Sequence, residues 1–176
     1  MDADGSNVRK LTSHPDPESH DSSDSPVWSP DGQQIAYDAY LGGNGHIYVM
    51  DADGENARKL TYEMRFPSSP VWSPDGQQIA FYARHNTEQR SDSDIYVMDA
   101  DGNNLRSLTD RSARYEYYPA WSPDGRHIAF MSSSDADAGY ESAETEWLEI
   151  CRIHVVGADG GDPRDLAGYL QYEGDI

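Results

Sequence analysis

The ten residues VWSPDGQQIA occupy Val27–Ala36 and recur letter for letter at Val71–Ala80. A close variant, AWSPDGRHIA, stands at Ala120–Ala129. Three copies in one chain mean a repeated structural unit, and their chemistry says what repeats. Ser-Pro-Asp-Gly is a turn: Pro presets φ at its second position, Asp tolerates the third, and Gly supplies the left-handed conformation that closes it. Trp28, Pro30, Asp31 and Gly32 therefore belong to one structural turn. Trp72, Pro74, Asp75 and Gly76 form its second copy, and Trp121, Pro123, Asp124 and Gly125 its third. Short apolar runs flank each copy, as strands flank a hairpin turn.

A second motif sets the period. MDADG lies at Met1–Gly5, Met50–Gly54 and Met98–Gly102, with a degraded VGADG at Val156–Gly160, at spacings of 49, 48 and 58 residues. Each copy precedes a strand-like piece: VRKLT, ARKLT, LRSLT and PRDLA. Every repeat then holds four short strands. Strand a is the piece around VW or AW. Strand b is QQIAYDAY, QQIAFYA or RHIAFMS. Strand c is HIYVMD, DIYVMD or WLEICRIHVV, and strand d follows the Asp-Gly turn. Strands b and c are apolar on nearly every central residue, as strands covered on both faces are. Repeats of about 40–50 residues with four strands each predict an all-β fold of β-propeller blades, each a four-stranded antiparallel sheet.

Trp-Ser-Pro-Asp-Gly, then Ile-Ala-Phe/Tyr, Ile-Tyr-Val-Met-Asp-Ala-Asp-Gly and Arg-x-Leu-Thr resemble the TolB-type β-propeller repeat, a WD-repeat-like pattern. The resemblance covers essentially the whole chain. It implies a propeller of six blades and a periplasmic or secreted location. The same repeat occurs in the propellers of prolyl-oligopeptidase-like enzymes, so fold alone does not assign function.

Taken in order, the strands place an extra outer strand d in residues 1–12, blades in 13–61, 62–109 and 110–167, and a tail in 168–176. Propellers close with about 4–8 blades, so three form an open arc with an apolar face at each end. Two chains of three blades make six, which predicts a homodimer closing one ring. Met1 keeps the register of Met50 and Met98, so a fragment of a longer repeat array is the alternative origin. The piece Val8–Thr12 is expected at the outer edge of a partner's last blade, displacing a C-terminal tail that copies strand d less well.

The net charge of −19 repels nucleic acid and anionic lipid, so neither is expected as a partner. No apolar run reaches 18 residues, so no helix is predicted to cross a membrane, and MDADGSNVRK carries no apolar signal region. Four Trp and 12 Tyr argue for an ordered chain. The single Cys151 excludes an internal disulfide and is read as a structural thiol.

The turns a–b and c–d are short and nearly invariant. Variation gathers at the opposite end, in Ser13–Ser25, Tyr62–Ser69 and Asp110–Tyr118, and in Leu41–Gly45, Arg84–Asp94 and Ser132–Glu146. Loops that vary on a rigid scaffold are where binding is expected. Arg111, Arg114, Tyr115, Tyr117 and Tyr118 form an aromatic and cationic cluster there, with Arg65, Phe66 and Tyr82 in comparable places; such mixtures mark interface hot spots, although some of the tyrosines could instead wedge between blades.

Other chemistry is weaker. Asp-x-Asp-Gly resembles half of a calcium loop, but its Gly comes one ligand too early, so a hairpin turn is preferred and no cofactor is expected, with calcium as the alternative. His14 and His20 with Asp16, Glu18, Asp21 and Asp24 match no standard metal spacing. The acidic run from Asp135 to Glu149 is read as a solvated loop, and His154 as a packed strand residue in place of Tyr48 and Tyr96. No Gly-x-Ser-x-Gly elbow occurs. The leading reading is a non-catalytic scaffold that binds a protein or peptide through the variable loops or a central channel. The alternatives are the propeller portion of a peptidase and a calcium-dependent assembly.

Overall fold

A computed structural model describes residues 6–12, 22–62, 64–84, 92–109, 115–133, 151–161 and 164–165, and among them it is all β. The elements are β1 (Ser22–Trp28), β2 (Gln34–Leu41), β3 (Asn44–Asp51), β4 (Arg58–Lys59), β5 (Arg65–Trp72), β6 (Gln78–Arg84), β7 (Ser93–Asp99), β8 (Arg106–Ser107), β9 (Tyr115–Trp121), β10 (His127–Ser133), β11 (Cys151–Gly157) and β12 (Arg164–Asp165). They pair as three successive antiparallel meanders, β1–β4, β5–β8 and β9–β12; one parallel bridge, Ser93 to Tyr115, joins the last two.

The Ser-Pro-Asp-Gly turn is held identically in each meander. The Ser29 hydroxyl donates to Asp31 Oδ1 (2.6 Å), which also accepts from the Gln33 amide, while Ser29 Oγ accepts from the Gln34 amide. Ser73 and Asp75 repeat this, as do Ser122 and Asp124. The Asp-x-Asp-Gly turn is closed by its own side chains too: the Glu55 amide donates to Asp53 Oδ1 and the Asn56 amide group to Asp51 Oδ2. Both turns lie at one end of the meander, where the Ala52 amide donates to the Gln33 carbonyl (2.9 Å).

Each meander has two apolar faces, because residues alternate across a strand. One face of the first carries Ala36, Ile47 and Val49. It packs on Trp72, Ile79, Phe81, Ala83 and Met98 of the second. The second meander's other face, with Ala80, Ile95 and Val97, packs on Ile128, Phe130 and Val156 of the third. Ridge contacts repeat around this core. Arg58 donates to the carbonyls of Ala100 and Asp101, and Arg106 to that of Ala158. Leu60 lies against Gly102 and Leu108 against Gly160, where a left-handed φ of +93° and +89° suits glycine. The hydroxyls of Thr61 and Thr109 accept the amides of Ile47 and Ile95, both at 3.0 Å.

Three expectations change. Strand a is longer than the piece around VW: β1, β5 and β9 run back into segments read as loops, so Arg65, Phe66, Tyr115, Tyr117 and Tyr118 are strand residues. Leu41–Gly45 is a tight hairpin, with only Gly42 and Gly43, both at positive φ, between β2 and β3. Strand d is two paired residues in each meander, and residues 8–12 pair with no strand among the described residues.

Phe81 is fully buried where two meanders meet, so Phe81→Ala should cost about 3–5 kcal/mol in urea denaturation. The serine hydroxyls, then the backbone amides, hold Asp31, Asp75 and Asp124 below the usual carboxylate range. A depressed folded pKa stabilises the fold above the unfolded value of about 3.9, and that stability is lost as pH falls from there through the folded pKa. Asp31→Asn/Asp75→Asn/Asp124→Asn should therefore lower Tm at pH 7 and converge on the parent protein in acid, once the pH has fallen through the folded pKa of these carboxyls. An equal Tm difference at both pH values would show that these bonds are not the cause.

Candidate functional site

The end of the meanders away from the two repeated turns gathers aromatic side chains around a cavity of about 360 Å³. Its lining comes from six strands: Ser22 and Asp24 of β1, Asp38 and Tyr40 of β2, Gly45 of β3, Phe66 and Ser68 of β5, Tyr82 and Arg84 of β6, and Tyr117 of β9. Phe66 stacks on Tyr40 at 6.2 Å between ring centroids, and the Arg84 and Arg65 guanidiniums lie 5.5 and 5.9 Å from its centre. Tyr82 meets Tyr117 edge to face at 5.3 Å and Tyr118 at 6.1 Å, while Tyr115 lies parallel to Tyr117 at 6.0 Å. Edge-to-face and offset pairs suit the charge distribution of aromatic rings. The lining also carries two carboxylates, Asp24 and Asp38. Asp38 takes hydrogen bonds from the Ser68 hydroxyl (3.1 Å) and the Ser69 amide (3.2 Å), which ties β2 to β5.

Backbone irregularity places these rings. Ser25, Phe66, Ser69 and Tyr118 have positive φ, and each immediately precedes a proline. Pairing is interrupted between Asp24 and Val27, around Ser68, and between Tyr117 and Ala120. Such bulges re-aim side chains and are common beside functional sites. Here they bring Phe66 and Tyr117 to the cavity and leave Tyr118 exposed. Between Tyr115 and Tyr117, Glu116 points the other way and is fully buried. It accepts a hydrogen bond from the Thr109 hydroxyl, and its backbone carbonyl accepts one from the Ser93 hydroxyl (2.9 Å). The tyrosines are thereby fixed to the core.

Of the residues expected at the binding end, the structure brings Phe66 and Tyr117 into the cavity wall and sets Arg65, Tyr115 and Tyr118 around them. Arg111 and Arg114 lie outside the described residues, as do His14, His20, Asp16, Glu18, Asp21 and the acidic run from Asp135 to Glu149. Tyr40, Asp38, Arg84 and Glu116 were missed by sequence reasoning. Arg84 and Glu116 lie within the variable segments Arg84–Asp94 and Asp110–Tyr118 without having been singled out, Asp38 and Tyr40 belong to strand b, and nothing in the sequence marks Glu116 as buried. His154 is buried and stacks on Phe130 at 5.5 Å, as Tyr48 does on Tyr37 and Tyr96 on Phe81. Among the described residues, no three His, Cys, Asp or Glu side chains are grouped to hold a metal.

Known proteins place the chain. The TolB from Acinetobacter baumannii superposes with a TM-score of 0.66 at 24% identity, covering 94% of this chain and 36% of that one. A TolB structure from Agrobacterium tumefaciens gives 0.64 at 30% identity, covering 80% and 47%. A puromycin-hydrolyzing peptidase from Mycobacterium tuberculosis gives 0.62 at 20% identity, covering 84% and 23%, a likeness of fold alone. The Tol-Pal system protein TolB of Thioalkalivibrio sulfidiphilus (strain HL-EbGR7) is 41% identical over 59 residues, which are 34% of this chain and 12% of that protein. The chain thus spans less than half the length of each of these relatives. The model of the TolB beta propeller domain matches residues 1–140, and the chain belongs to that family.

Proposed function

We propose that the chain is a non-catalytic propeller scaffold: each meander is a blade, two chains of three blades complete a six-bladed ring, and the variable end binds a protein or peptide. The observation that carries the binding reading is the cavity with Tyr40, Phe66, Tyr82 and Tyr117 around one arginine, Arg84. Aromatic rings and arginine give large contact area at low entropic cost and dominate interface hot spots. A cavity of about 360 Å³ with Asp24 and Asp38 in its lining suits a peptide offering an apolar side chain to the rings and a basic one to the carboxylates. The charge of −19 would speed the encounter with a basic segment.

The propeller portion of a prolyl-oligopeptidase-like enzyme is the second reading, favoured by the peptidase fold likeness and requiring a catalytic domain elsewhere. The family resemblance supports a periplasmic site of action. The scaffold reading invokes no cofactor; a calcium-dependent assembly would instead fall apart with chelator.

Peptides selected from a random display library on the purified chain provide the test. Phe66→Ala and Tyr117→Ala should each weaken the selected peptides about tenfold or more by fluorescence anisotropy, the size of a hot-spot loss. Tm should move little for Phe66→Ala, because that ring is already 40% exposed. Peptides whose affinity is indifferent to both substitutions would place binding elsewhere.

A further inference from the structure

The end of the stack that carries the repeated turns holds a cavity of its own, also about 360 Å³, between the Ser-Pro-Asp-Gly turns of the first and second meanders. Asp31 and Gln34 line it from one side, and Trp72, Asp75 and Gln77 from the other. The two turns stack closely. The Pro30 ring lies 3.6 Å from where a Cβ on Gly76 would stand, and Pro74 lies 3.8 Å from the same point of Gly125 in the next pair. The preceding turn encloses the tryptophan: Trp72 is 8% exposed, whereas Trp28, with no meander described before it, is 57% exposed.

The indole of Trp72 marks this cavity as more than a gap between turns. Its N–H is buried and meets no hydrogen-bond acceptor among the described residues. The N–H of Trp121, one repeat on, is in the same condition. A buried tryptophan N–H ordinarily has a partner, because an unpaired donor bears its full desolvation penalty. In the core, Trp72 is grouped with Ala36, Ile47, Ile79 and Phe81, whose side chains carry no lone pair. The cavity is therefore the side from which an acceptor can reach it.

The other polar groups of the wall have the opposite need. Asp31 and Asp75 are exposed carboxylates, bonded in their turns through Oδ1, which leaves Oδ2 of each to a ligand. The serine hydroxyls, then the backbone amides, hold both below the usual carboxylate range, so both are anionic at neutral pH and repel an anion. An ammonium or guanidinium would satisfy them, yet it has no lone pair to offer the indole. A hydroxyl has both, a lone pair for Trp72 and a proton for a carboxylate. Neighbouring hydroxyls on one sugar ring can present the two to the same wall. A trans peptide group instead directs its N–H and C=O to opposite sides. The side-chain amides of Gln34 and Gln77 can donate or accept. The volume lies within the roughly 300–1,000 Å³ of small-ligand sites.

We propose that this cavity binds a ring of a neutral saccharide, one hydroxyl accepting from Trp72 Nε1 and its neighbour donating to Asp31 or Asp75. Recurrence of the unpaired N–H at Trp121 makes the site a property of the repeat and not of one meander. It is independent of the aromatic cavity at the other end.

The test is an NMR titration of the isotope-labelled full chain that follows its four indole N–H signals, with Trp72→Phe assigning the one from Trp72. The probes are the methyl pyranosides of glucose, galactose and mannose, with N-methylacetamide standing for a peptide group and ammonium chloride for a cation. At least one pyranoside should shift the Trp72 signal saturably, and the last two probes should not. Saturation transfer from protein to sugar should then show binding weakened about tenfold by Trp72→Phe and by Gln77→Ala, the latter at an exposed position that spares the core. No saturable shift with any pyranoside at about 50 mM, well above a millimolar Kd, would overturn the proposal. So would a shift produced by N-methylacetamide or ammonium alone, or a sugar affinity indifferent to both substitutions.

Discussion

The structure depends on one contact: the face of one twisted four-stranded sheet against the face of the next. A lone meander of these strands could not bury its apolar residues, because alternation puts Ile47 and Val49 on one face and Ile35, Tyr37 and Met50 on the other. Stacking resolves this, as it does in repeat proteins, whose stability is largely a sum of units and nearest-neighbour interfaces. Ile79, Phe81 and Ile95, all fully buried, lie at such interfaces. Every other regularity serves to set one sheet upon the next.

The ridge contacts show how an acidic chain makes that setting specific. Arg9, Arg58 and Arg106 donate to turn carbonyls. A carbonyl's place is fixed by the turn backbone, so the contact survives change in the turn's side chains. The aspartates of those turns are engaged locally, Asp53 with the Glu55 amide and Asp101 with the Asn103 amide. With 32 acidic residues against 13 basic ones, arginines aimed at backbone are a sparing use of positive charge.

At the other end the same scaffold is less regular. Left-handed φ at non-glycine residues costs about 1–3 kcal/mol each and persists only where the surroundings impose it. It recurs before Pro26, Pro70 and Pro119, so it is part of the repeat and not an accident of one strand. The irregular backbone lies beside the cavity that collects Phe66, Tyr82 and Tyr117. Rigid turns at one end and re-aimed aromatic residues at the other give the sheet stack two different ends.

The sequence by itself determined the repeat, the four-stranded unit and both turns. These are local: Ser-Pro-Asp-Gly closes through Ser29 and Asp31, and Asp-x-Asp-Gly through Asp53, each within a few residues. It also showed where variation concentrates, and so that Phe66 and Tyr117 stand at the end away from the repeated turns. Only the tertiary structure decided which side chains meet there. A bulge shifts every later residue to the other face, so period-two reading loses its parity in β5 and β9. Tyr40 and Arg84 join Phe66 across three strands, and Glu116 is buried because Thr109 and Ser93 of the neighbouring meander receive it. Those partners are set by packing between sheets, which no local spacing encodes.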